Sequence, residues 1–144
     1  MTAADGALAE RLVREARVIA VYGVAADPSR PSHEVARYLI EAGYEVYLVN
    51  PTETEVLGRP VYPRLQDVPA HIDVVDIFRR AEFMPEVIRD AIEAGAGAVW
   101  MQLGLVHEGA AATARAAGLE VVMDRCMKIE HARIAAAGPA SGDA

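Results

Sequence analysis

Ten residues, "GVAADPSRPS" at 23–32, gather groups suited to holding an anion. Gly23 lets the backbone come close to a ligand. Arg30 brings a planar guanidinium whose fork matches phosphate oxygens. Pro31 suits the first position of a helix, where its missing N–H would be unpaired anyway. Ser32 then sets a hydroxyl beside the free amides of a first helical turn. The same residues also describe a plain capped strand-to-helix turn, and the loop alone does not choose between the two. Arg79 and Arg80 form a second basic pair, either for phosphate or simply solvated. Cys126 stands between Arg125 and Lys128. Nearby positive charge activates a thiol, but a small residue packed at a sheet edge is the favoured reading.

Other chemistries lack their residues. A dinucleotide fingerprint needs three glycines at fixed spacing and an acid ending the second strand. Here the loop has one glycine, and "EVYLVNP" ends in Asn50 and Pro51. An acid there would grip the free ribose hydroxyls of NAD and repel a phosphorylated ribose. Its absence favours a ribose phosphate, or no nucleotide. His33, His71, His107 and His131 lie in separate elements without ligand spacing, and there is no cysteine pair. Metal binding is not expected. No nucleophile elbow or Walker loop is present.

These groups must be carried by alternating strands and helices. Apolar runs at 18–22, 45–49, 73–78, 98–102 and 120–123 read as strands, with a short one near Val61 and Tyr62. Helical stripes occupy 5–14, 32–42, 82–94, 107–117 and 128–137, with Gly43, Gly95 and Gly118 placed to end three of them. Alternation of this kind specifies a parallel sheet with helices on both faces. Ligands of such sheets bind beyond the carboxyl ends of the strands. That places the candidates at 23–32, 50–53, 78–80, 102–105 and 124–127.

The 144 residues suffice for one domain with a sizeable core. A net charge of −7 argues against nucleic-acid partners. No apolar run is long enough for a membrane span, and the start does not read as a signal peptide. One cysteine rules out an internal disulfide and fits a cytoplasmic location. Thirteen of the fourteen basic residues are arginine, a bias that composition alone explains better than function does.

The segments "VYGVAADPSRPSHEVARYL", "YLVNPTETEVLGRPVYP", "VDIFRR", "QLG" and "MDRCMKIEH" together resemble the small stand-alone CoA-binding proteins. Those share their domain with the N-terminal CoA-binding domain of the succinyl-CoA synthetase alpha subunit. The resemblance covers about 17–133. It implies an α/β fold: a Rossmann-like, doubly wound parallel sheet, three-layer α/β/α, in a single domain. Residues 1–16 would be a helix packed on the binding domain at 17–137, with a disordered tail at 138–144.

By position, the resemblance puts Gly23, Val24, Ala25, Arg30 and Ser32 at the phosphate end. Asn50 and Pro51 would flank the adenosine. Ile77, Phe78 and Arg79 would follow the next strand, and Met101, Gln102 and Leu103 would lie along the pantetheine arm. Cys126 would share the crevice, close enough for a mixed disulfide with CoA. Where the synthetase has a basic residue after the second strand, this chain has Thr52 and Glu53, so Arg30 or Arg59 would have to meet the 3′-phosphate.

The expected ligand is CoA or acyl-CoA, bound without catalysis, because the chain carries neither a phosphohistidine domain nor a nucleotide-grasp subunit. Two alternatives stay open: an NAD(P)-binding redox sensor, and a partner-dependent subunit of an acyl-CoA synthetase. So does association as a homodimer or with an unidentified protein partner.

Overall fold

A computed structural model describes residues 3–139. Seven strands form one sheet: β1 (Val18–Tyr22), β2 (Glu45–Val49), β3 (Glu55–Val56), β4 (Arg59–Tyr62), β5 (Val74–Ile77), β6 (Ala98–Met101) and β7 (Glu120–Val122). Five helices pack on it: α1 (Ala3–Glu15), α2 (Pro31–Glu41), α3 (Met84–Glu93), α4 (Glu108–Ala116) and α5 (Met127–Ala137). The sheet order is β3-β4-β2-β1-β5-β6-β7. Every pairing is parallel except β3 with β4. The chain is therefore a single α/β domain of Rossmann-like, doubly wound form.

Alternation along each strand divides the core between the two faces. Ile19, Val21, Val74 and Trp100 point toward α1, α2 and α5, where they meet Leu12, Leu39, Met127 and Ile134. Ala20, Tyr22, Val75, Ile77, Val99 and Met101 point toward α3 and α4. The α4 face is nearly all alanine (Ala110, Ala111, Ala114), which lets that helix lie close to the sheet. Among the described residues, no helix is long and apolar enough to cross a membrane.

Some boundaries differ from the sequence expectation. The helix expected at 82–94 begins at Met84, after a 3-10 turn at Ala81–Phe83. Pro85 explains this, because it fits only the first turn. Asp73, expected in a strand, instead uses Oδ2 to accept the N–H groups of Arg17 and Val18, each at 2.9 Å. The β3–β4 hairpin was not foreseen. Its two-residue turn, Leu57–Gly58, needs positive φ at both positions (56° and 70°). Leucine there hides the usual Asn-Gly signal. Of the tail expected at 138–144, positions 140–144 lie outside the described residues. The Gly138 carbonyl accepts Arg14 Nη2 at 2.9 Å.

One core residue breaks the apolar pattern. Asp76 in β5 is fully buried, between Val21 and Trp100 in the strand register. Neither of its carboxyl oxygens has a hydrogen-bond partner. Burial alone pushes its pKa up to about 8. At neutral pH it is mostly a neutral acid.

Candidate functional site

The loops that follow β1, β2, β5, β6 and β7 enclose one crevice of about 1210 Å³. That exceeds the roughly 300–1,000 Å³ of an ordinary small-ligand pocket. From β2 to β7 is four strand spacings, or about 19 Å at ~4.8 Å each. The crevice therefore suits a long molecule lying across the strand ends.

Twelve of the expected residues line it: Gly23, Ala25, Arg30, Ser32, Asn50, Pro51, Ile77, Phe78, Arg79, Gln102, Leu103 and Cys126. Val24 and Met101 do not. Both are fully buried, Val24 under α2 and α5 and Met101 under α3 and α4. Their side chains support the site from below. Among the described residues, no histidine lines the crevice.

The first loop is tightly braced. Ser32 Oγ accepts the Ala25 N–H at 2.9 Å, so much of that hydroxyl's role is to hold the loop. His33 Nδ1 lies 2.9 Å from the Ala25 carbonyl, which requires the proton to sit on Nδ1. Glu53 Oε2 accepts the Ala26 N–H at 3.0 Å. Asp27 accepts the N–H and hydroxyl of Ser29 at 2.9 and 2.8 Å. Those two bonds, helped slightly by the Arg30 charge, hold its carboxyl below the usual range.

Asn50 ties the first two loops together. Its Nδ2 donates to the Val24 carbonyl at 2.8 Å. Its Oδ1 accepts the N–H and hydroxyl of Thr52 at 2.9 and 2.8 Å. This gives Asn50 a positioning role that the sequence reading did not foresee.

Gly23 also has a different reason to be glycine. Its φ is +87°, and its N–H donates to the Val49 carbonyl at 2.8 Å. A Cβ there would lie 2.0 Å from the Phe78 carbonyl oxygen. The close approach is between neighbouring strand ends.

The cations along the crevice differ in availability. Arg79 lies 3.9 Å from the centre of the Phe83 ring. Arg80 pairs with Glu82 at 3.3 Å. Lys128, on α5, pairs with Glu34, on α2. Arg59 donates to the Val46 carbonyl at 3.4 Å and is not among the residues lining the crevice. Arg30, exposed at the start of α2, uses its backbone N–H and carbonyl in the turn, while its guanidinium makes no hydrogen bond or ion pair among the described residues. It is the cation free to meet an anion.

At the far end the lining changes. Asp124, at φ +60°, accepts the Gly104 N–H at 2.7 Å and donates its own N–H to Leu105 at 3.2 Å. This laces the β6 loop to the β7 loop. Trp100 Nε1 donates to the Arg125 carbonyl at 2.8 Å, fixing the approach to Cys126. Cys126 is 9% exposed at the start of α5. Leu103, Leu105 and Ile129 complete this end. Gln102 Oε1 is buried without a partner.

A Rossmann-like sheet with an elongated, partly cationic crevice at its carboxyl edge defines a nucleotide-binding domain. The chain belongs to the family described as the CoA binding domain, whose pattern matches residues 17–132. The uncharacterized protein YneT of Bacillus subtilis (strain 168) is 38% identical over 123 residues, covering 85% of this chain and 91% of YneT. A solved structure of a hypothetical protein from Pyrococcus horikoshii OT3 superposes with a TM-score of 0.86 at 38% identity, covering 90% of this chain and 92% of that one. The ADP-forming acetate–CoA ligase II of Archaeoglobus fulgidus is 30% identical over 94 residues, which is 63% of this chain but 14% of the ligase. The domain is thus related to the CoA-binding domain of acyl-CoA synthetases, of which the acetate–CoA ligases are examples.

Proposed function

We propose that the protein binds CoA or an acyl-CoA across this crevice and performs no chemistry of its own on it. The observation that carries the reading is a crevice spanning five strand ends, lined both by the unpaired Arg30 guanidinium at the first turn of α2 and by aliphatic side chains of the β6 loop and α5. The phosphates would meet Arg30 and the first turn of α2, where helix amides favour anions. The adenosine would lie by Asn50 and Pro51, and the pantetheine arm would run past Phe78 and Gln102 toward Cys126.

Support for a non-catalytic role comes from how the histidines are used. Nδ1 of His107 accepts the Ala110 N–H at 3.0 Å as a helix cap, and His131 Nδ1 lies 2.8 Å from the Tyr38 hydroxyl. With His33 bound to its loop, these groups serve the fold. In this reading the protein works in the cytoplasm.

Calorimetric titration with CoA, dephospho-CoA, NAD and NADP tests the proposal. CoA is expected to bind one-to-one, with dephospho-CoA on the order of tenfold weaker for loss of a charge-assisted contact. Binding of NAD or NADP with no response to CoA would overturn it in favour of a redox sensor.

A further inference from the structure

The crevice lining mixes charged and aliphatic side chains. Around the first loop it is polar and charged. Around the β6 loop and the start of α5 the aliphatic Leu103, Leu105 and Ile129 join Gln102, Cys126 and the Lys128–Glu34 pair in the lining. Leu103 is 62% exposed and Ile129 is 55% exposed, although most large apolar side chains here are buried. They stand on two elements held together by the bonds between Asp124 and the 104–105 backbone. Both line the same crevice, so a ligand lying in it can cover side chains that are otherwise left in water.

We infer that Leu103 and Ile129 form a subsite for the aliphatic acyl chain of an acyl-CoA. The inference rests on the CoA reading and extends it from the carrier to its cargo. In the pose proposed above, the pantetheine arm passes Gln102 toward Cys126 and brings its thioester among the lining residues of the β6 loop and the start of α5. A chain of several methylenes leaving the thioester there meets Leu103 and Ile129. An acetyl group is too short to cover either. Full burial of one methylene is worth roughly fourfold in affinity, and an open subsite gives less. An octanoyl thioester is therefore expected to bind on the order of tenfold tighter than free CoA.

The experiment measures the affinity ratio of octanoyl-CoA to CoA for the intact chain and three variants. Leu103→Ser and Ile129→Ser are expected to bring the ratio close to one. Val106→Ser, at a residue 48% exposed but outside the crevice, is expected to keep it. A ratio near one in the unaltered protein, with CoA still bound, overturns the acyl subsite alone. So does an equal loss in Val106→Ser. A dimer that Ile129→Ser dissociates, together with a ratio near one, assigns the surface to a second copy. Failure of CoA and all thioesters to bind overturns the CoA reading and the subsite with it.

Discussion

The α-carbon of Gly23 faces the carbonyl of Phe78 so closely that one added methyl would sit 2.0 Å from the oxygen. The first and third strand ends of the site are thereby locked side by side. Gly23→Ala combines this collision with a positive φ and is expected to cost about 3 kcal/mol. Gly104→Ala, with similar φ and nothing within 4 Å, is expected to cost about 1 kcal/mol. Urea midpoints of the two variants make the comparison. Equal losses would mean that the Phe78 carbonyl moves aside.

Asn50→Asp keeps the acceptor for Thr52 but turns a donor into an oxygen facing the Val24 carbonyl. A loss of about 1–3 kcal/mol follows at neutral pH. Acidification restores a proton that can donate to Val24, so thermal melts of variant and parent should converge as pH falls below about 4. A gap that persists in acid would count against this bond as the cause.

Asp76 gives the protein a pH signature. Its pKa is about 8 when folded, against 3.8 when exposed. Between these values the folded chain keeps a proton that the unfolded chain has lost. The stability from this group is full below about pH 4 and declines as pH rises toward 8. Asp76→Asn removes that decline. Its thermal midpoint should gain on the parent steadily across this range, and parallel curves would show that another group governs the slope.

Cys126 lines the crevice at the start of α5. On incubation with CoA disulfide, its thiolate is expected to attack one sulfur, releasing one CoA thiol and retaining the other half as a mixed disulfide. Intact mass should rise by one CoA moiety, fall back under reductant, and stay unchanged in Cys126→Ser. No adduct on the unaltered chain would place the thiol out of a thioester's reach.

The parallel sheet was legible because its strands are continuous apolar runs separated by amphipathic stripes. The crevice was legible because parallel topology sends every loop after a strand to one edge. What escaped was whatever depends on two segments meeting. Asn50 reads as a strand terminator until its amide is seen bridging Val24 and Thr52. Glu53 reads only as the residue standing where the related synthetase has a basic one, until its carboxylate is seen accepting the Ala26 N–H across the first loop. Leu57 gives no turn signal, and Asp76 looks like one polar position in an apolar strand. Val24 and Met101 are fully buried in the core beneath the crevice, and position after a strand does not reveal which side chains turn into the core.

The sheet ends in β3, two residues long, on one side and β7, three residues long, on the other. Arg11 of α1 also reaches over β7 to pair with Glu120. Borders this brief present too few unpaired amides and carbonyls to template another strand. The molecule is thus guarded against edge-to-edge polymerisation and fibril growth. Short edges of this kind favour association through helices or loops over continuation of the sheet from one copy into the next.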